Sequence, residues 1–170
     1  MEKEITEVYC GNGRGKTTLA IGQALRASSQ GKSVIIIQFL KGNERRELDF
    51  LEELDQLDIK IFRFEKMETC YDQLNEEEQV EEERNILNGL NFARKVIATQ
   101  ECDFLVLDEI LGLLDKHIAT VDMVVGLLKQ KDESMHLILT GNRVDPGILD
   151  YVDSVTTITT LGSCLLYTSP

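Results

Sequence analysis

The residues with the clearest chemical meaning lie near the N-terminus, in the run Gly11-Asn12-Gly13-Arg14-Gly15-Lys16-Thr17-Thr18. Three glycines followed by Lys and Thr, between an apolar stretch and a helical pattern, describe a phosphate-binding loop. In such a loop, successive backbone N–H groups and the N-terminus of the following helix cradle a polyphosphate. Lys16 would reach the terminal phosphates and the Thr17 hydroxyl would ligate Mg²⁺. Arg14 adds a second cation inside the loop, and Gly11, Gly13 and Gly15 permit close backbone approach and positive φ. The usual pattern has another glycine at residue 10, where this chain has Cys10.

Two acids form the natural complement. Asp108 and Glu109 end the apolar run "FLVLDE". This is the pattern of a strand that brings a Mg²⁺-organising carboxylate beside a phosphate loop. Asp108 could instead cap a helix. Glu109 could ligate the metal directly or polarise water. Arg143, in "LTGNR", follows another apolar run and could face a nucleotide or sit on an exposed loop. Gln38 and Lys41, in "QFLKG", follow a third and could line the same cleft.

These residues need a scaffold that gathers strand ends. Residues 5–9 lead into the loop. Leu19, Ala20, Ala24, Leu25 and Ala27 suit a helix over residues 17–29. "SVIIIQF", residues 33–39, reads as a strand buried on both faces. Leu48, Leu51 and Leu54 recur every three residues, as in a helix, and "IKIFRF", residues 59–64, alternates like a strand. The segment from Met67 to Glu83 is acidic, which predicts a solvated helix face. Ile86, Leu87, Leu90, Ala93, Val96 and Ile97 then form an apolar stripe at helix spacing. Further strands are expected at 103–109, 136–141 and 153–159, a helix at 121–129, and a helix start at the Pro of "DPGILDYV". Strand, loop and helix in repetition predict an α/β fold: a parallel sheet covered on both faces, with right-handed crossovers.

The totals narrow the function. The chain has 170 residues, 42% hydrophobic and 28% charged, with a formal net charge of −12. Such acidity argues against a nucleic-acid binder that works by phosphate neutralisation. No stretch is apolar enough to span a bilayer, and the charged N-terminus has no signal core, so a cytoplasmic location is expected. Cys10, Cys70, Cys102 and Cys164 are scattered without a C-x-x-C pair, and His117 and His136 have no ligand partner at metal-site spacing. Residues 1–163 read as one nucleotide-binding domain. The last seven residues, 164–170, resemble a translated adapter sequence and are set aside as a non-native tail.

Taken together, "YCGNGRGKTTLAIGQALRA", "VIIIQFLKG", "LVLDEI", "LILTGN" and "DYVDSVT" resemble the P-loop corrinoid adenosyltransferases, over about residues 7–157. In that family the position of Cys10 is normally Thr, so the missing first glycine is a family trait. The resemblance implies a three-layer, RecA-like P-loop fold and a transferase that uses ATP and Mg²⁺ with a corrinoid as substrate. A Co(I) corrinoid would attack the ribose C5′ of ATP and triphosphate would leave. Residues Gly11 to Thr18, with Arg143, would hold the nucleotide. Thr17, Asp108 and Glu109 would organise the metal, and Lys16, Thr17 and Glu109 would serve catalysis. The resemblance leaves room for an electron donor, a reductant or flavoprotein, and for a homodimer. Cobalamin-handling members carry a Trp after the third strand, against the corrin ring; this chain has no Trp, and Phe62, Phe64 and Tyr71 are its aromatic residues there. The alternative is a divergent P-loop ATPase or regulatory nucleotide-binding protein without adenosyl transfer.

Overall fold

The computed structural model describes residues 3–41, 48–54 and 56–162. Gly42 of the "QFLKG" run and the tail at 164–170 lie outside the described residues. Six parallel strands form one sheet in the order β3-β2-β4-β5-β1-β6. They are β1 (Thr6–Cys10), β2 (Val34–Gln38), β3 (Ile59–Arg63), β4 (Phe104–Asp108), β5 (His136–Thr140) and β6 (Ser154–Thr157). All five residues of β2 and of β4 are buried, as expected for central strands covered on both faces.

Alternation along the strands sorts the core into two layers. Ile36, Val106 and Ile138 stand on one face, in register across β2, β4 and β5. They meet α1 (Lys16–Ser29), which presents Ala20, Ile21, Ala24 and Ala27. Small side chains at this spacing let the helix lie close to the sheet. Leu48 and Leu51, around the short α2 (Asp49–Glu52), extend the same layer. The other face carries Ile35, Ile37, Leu105, Leu107, Leu137 and Leu139. They pack against α3 (Glu76–Thr99), α4 (Ile110–Asp115) and α5 (Val121–Gln130), with Ile148 of α6 (Pro146–Leu149) at the margin.

The acidic segment from Glu76 onward and the apolar stripe after it are one helix, the 24-residue α3, while residues 67–75 precede it with a single 3-10 turn at Tyr71–Gln73. A capping box starts it: Asn75 Oδ1 accepts from Glu78 N at 2.9 Å and Glu78 Oε1 accepts from Asn75 N at 3.1 Å. Glu76, Glu77 and Glu78 then sit in the first turn, where the helix dipole favours negative charge. Most of this acid is solvated, but Glu82 is buried. Its carboxylate accepts from Lys66 N at 2.9 Å, Met67 N at 3.3 Å and Asn85 Nδ2 at 2.8 Å, tying the segment after β3 to the helix.

Two elements differ from expectation. The Leu48–Leu54 pattern yields only the single turn of α2, with Leu48 and Leu51 buried and Leu54 exposed. Helix α4, directly after Glu109, is not signalled by the sequence: Ile110, Leu111, Gly112 and Leu113 are all buried, so no polar face marks the helical period.

The two-sided core makes a stability prediction. Leu107 is fully buried at the centre of the sheet. Leu107→Ala should lower unfolding free energy by about 2–5 kcal/mol in a denaturant titration, as for buried Leu in other cores. A change below about 0.5 kcal/mol would contradict this packing.

Candidate functional site

The site is assembled at the carboxyl ends of β1, β2, β4 and β5, where doubly wound sheets bind ligands. Cys10 explains the altered start of the glycine loop. It is the last residue of β1, in register with Thr157 of β6, and its side chain is buried in the core, with Sγ 3.7 Å from Thr157 Oγ1. The position is strand, not turn. The turn begins one residue later, at Gly11, whose φ is 110°.

Gly11 and Gly13 have a second job. Gly13 N donates to Ile158 O at 2.8 Å, and Ile158 N donates to Cys10 O at 2.8 Å. A Cβ on Gly11 or Gly13 would meet Ile158 O at 2.3 or 2.6 Å. The strand-like segment after β6 therefore presses directly on the loop, and it adds a bond from Arg14 N to Thr160 Oγ1 at 3.2 Å. Gly11 N is bonded to Asn142 O at 2.7 Å. With these groups engaged, the anion-facing donors are left to the N-terminal turn of α1, at Gly15 to Thr18, whose first N–H groups have no intrahelical partner. Asn12 lies between the two packed glycines. Lys16 arches back over the loop, donating from Nζ to Gly11 O at 2.8 Å and Gly13 O at 3.1 Å.

Thr17 joins the loop to the acids. Its hydroxyl donates to Asp108 Oδ1 at 2.9 Å, across 91 residues of chain. Asp108 is wholly buried and takes three further donors. Thr140 Oγ1 donates to Oδ1 at 2.7 Å, Gln38 Nε2 donates to Oδ2 at 3.1 Å, and Lys41 Nζ lies 2.8 Å from Oδ2. Arg63, Gln38 and Asp108 are successive register partners across β3, β2 and β4. Arg63 Nε donates to Gln38 Oε1 at 2.8 Å, which turns the amide so that its NH₂ faces Asp108. Thr140 and Arg63 are site residues that sequence reasoning missed. Both are ordinary strand-end residues whose role exists only through cross-strand register.

Glu109 follows in a left-handed conformation, φ 65°, with its N–H donated to Thr140 Oγ1 at 2.8 Å. Non-glycine residues held at such φ cluster at functional sites. Burial pushes its carboxyl pKa up and nearby Lys41 pulls it down, with Asp108 raising and Lys16 lowering it more weakly. The Thr17 hydroxyl and the Asp108 and Glu109 carboxylates are oxygen donors of the kind Mg²⁺ prefers, and a polyphosphate at the loop would complete such a set. Among the described residues no three His, Cys, Asp or Glu side chains converge as an all-protein metal cage.

Other candidates lie elsewhere. Arg143 is 78% exposed, and its Nε donates to Asp115 Oδ1 at 2.9 Å. With His117, Thr120 and Asp145 it lines a cavity between α4 and α5, and none of the bonds above ties it to the loop. Phe62 and Phe64 pack on Phe92 of α3, with ring centroids 4.6 and 5.4 Å apart. The Tyr71 hydroxyl bonds Glu83.

Behind Lys41, Glu65 Oε1 accepts from Leu40 N at 2.6 Å and so holds Leu40 at φ 57°. Burial, with Glu82 nearby, pushes the Glu65 carboxyl from the usual 4.5 up to about 7. The native state then binds this proton more tightly than the unfolded chain. The stability it lends is full below pH 4.5 and is lost as pH rises through about 7. Relative to Glu65→Gln, the wild type should lose on the order of 3 kcal/mol over that window in pH-dependent denaturant titrations. Parallel curves for the two proteins would show that Glu65 is not held in this environment. Gly13→Ala should separately weaken ATP binding in calorimetry, because its Cβ cannot coexist with Ile158 O; unchanged affinity would mean that the 158–160 segment does not press on the loop in solution.

Comparison with known proteins agrees with this geometry. A solved KaiC-like protein from Pyrococcus horikoshii superposes with a TM-score of 0.62 over 92% of this chain and 72% of its own, at 19% identity, and the fold is RecA-like. The corrinoid adenosyltransferase of Escherichia coli is 31% identical over 159 residues, covering 91% of this chain and 76% of its own. The corrinoid adenosyltransferase CobA of Salmonella typhimurium is 29% identical over 157 residues, with the same shares of 91% and 76%. The corrinoid adenosyltransferase of Pseudomonas aeruginosa is 27% identical over 161 residues, covering 91% and 74%. The model of the family ATP:corrinoid adenosyltransferase BtuR/CobO/CobP matches residues 2–163, and the chain belongs to that family.

Proposed function

We propose that this chain transfers the 5′-deoxyadenosyl group of ATP to the Co(I) centre of a corrinoid and releases triphosphate, in corrinoid biosynthesis or salvage. The observation that carries the reading is the bond from Thr17 to Asp108. It couples a phosphate loop to a buried carboxylate in a chain of the corrinoid adenosyltransferase family.

In this reading the electron pair of Co(I) forms the Co–C5′ bond while the C5′–O bond breaks, and that bond's pair departs on the triphosphate. No proton moves, so no general base is required. The chain's work is to hold the leaving group, offset its growing charge and keep water from C5′. The N-terminal turn of α1 and Lys16 bind the triphosphate, and Arg14 adds charge from the loop. Thr17, Asp108 and Glu109 would hold Mg²⁺, which when bound would supply positive charge to the leaving group. Gln38, Arg63 and Thr140 keep Asp108 in position. The substrate must arrive as Co(I), so an electron donor, a reductant or flavoprotein, belongs to the system.

A second reading, a P-loop ATPase without adenosyl transfer, draws support from the aromatic side chains at the end of β3. Phe62 and Phe64 are engaged with Phe92. One assay separates the two. With Mg-ATP and a chemically reduced corrinoid, the proposed reaction yields adenosylcorrinoid and triphosphate, followed by the absorption spectrum and phosphate analysis. ADP and phosphate without adenosylcorrinoid would establish the ATPase reading. Lys16→Ala should weaken ATP binding by about 10–100-fold under either reading, through loss of a charged contact to the phosphates; unchanged affinity would overturn the loop assignment.

A further inference from the structure

Lys41 lies outside the glycine loop, three residues beyond β2, yet its ammonium stands at the heart of the site. Nζ is 2.8 Å from Asp108 Oδ2 and 3.2 Å from Thr17 Oγ1, with the side chain 10% exposed. The Thr17 hydroxyl gives its hydrogen to Asp108 Oδ1 and receives one from Lys41, so a lone pair that a metal would use is taken. Lys41 is thus the cationic partner of a fully buried carboxylate, a charge that would be strongly destabilising alone.

These are the same oxygens that the proposed function assigns to Mg²⁺. An ammonium and a divalent cation at hydrogen-bond distance from one pair of oxygens repel each other strongly, all the more in a partly buried site. The backbone before Lys41 is pinned by the bond from Leu40 N to Glu65. The side chain is the part that can move, on a flexible four-carbon stem. Glu109 and Glu65 already feel its charge, and a polyphosphate held at α1 would add a larger negative charge on the loop side.

We propose that Lys41 competes with the divalent cation for the oxygens of Thr17 and Asp108, and on metal entry turns its ammonium to the phosphates of the bound nucleotide. This rests on the reading of the loop as a polyphosphate site and goes past it. It assigns the coupling of metal to nucleotide to a residue outside the loop. Before the metal arrives, Lys41 serves as counter-ion to Asp108; afterwards it strengthens the grip on the leaving group.

Two binding titrations test this on the full chain. Mn²⁺ binding without nucleotide, followed by electron paramagnetic resonance, should be about tenfold tighter in Lys41→Met than in the wild type. Lys41→Gln, which can still donate to Asp108, should show the same gain and guards against a folding defect in the first variant. ATP binding measured by calorimetry at saturating Mg²⁺ should be about tenfold weaker in both variants, because a cation for the phosphates is lost, whereas in EDTA, where Lys41 stays on Asp108, it should change little. Circular dichroism checks that each variant is folded. Unchanged or weaker Mn²⁺ binding in a folded variant overturns the competition. Unchanged ATP affinity at saturating Mg²⁺ overturns the transfer to the phosphates. Lys16→Ala measured alongside separates the premises: if it leaves ATP binding intact the loop reading fails, whereas its loss with unchanged Lys41 variants sinks only the present inference.

Discussion

Burying the Asp108 carboxylate is the constraint around which the site is organised. A charge with no solvent contact must be paired and hydrogen-bonded, or it costs several kcal/mol. Its four partners come from four places in the chain. Thr17 brings the start of α1, Gln38 the end of β2, Lys41 the loop after it, and Thr140 the end of β5. Each partner is thereby fixed relative to the others. The site's preorganisation is the same set of bonds that satisfies one buried group.

A second constraint acts on the loop from the opposite side. The segment after β6 takes the N–H of Gly13 and gives Thr160 to Arg14 N, closely enough that only glycine fits at residues 11 and 13. Glycines usually credited to phosphate approach are required here by backbone packing as well. The edge strand β6 therefore belongs to the site. It shapes the first half of the loop, while the second half, at the N-terminus of α1, keeps its first N–H groups free of intrahelical partners.

The stretch after β3 is bound into the fold in a third way. Glu82 of α3 collects the N–H groups of Lys66 and Met67, and Glu65 collects that of Leu40. Two glutamates, one buried and one half-buried, thus hold the two backbone segments that flank Lys41's side of the site. Phe62 and Phe64, which from sequence could stand in for a Trp against a corrin ring or belong to the core, lie against Phe92 and help seat α3.

Much of this was legible without coordinates, for a physical reason. Local signals are strong where one short segment does the whole job. The glycine run with Lys16 and Thr17 names a phosphate loop, β-branched runs name buried strands, and the apolar stripe from Ile86 to Ile97 names a helix. The ordered motifs carried the family and the parallel α/β fold. Tertiary structure decided what depends on register and depth. It joined Arg63, Gln38 and Asp108 into one row and made Thr140 a partner of the Asp108 carboxylate and the Glu109 backbone N–H. It buried one glutamate of an otherwise solvated run, and it hid α4, whose uniformly apolar residues carry no period. It paired Arg143 with Asp115 and set Lys41 on Thr17 and Asp108. A sequence displays which groups a chain possesses. Which of them share a proton, a charge or a metal depends on distances between strands far apart in sequence, and only the folded sheet sets those.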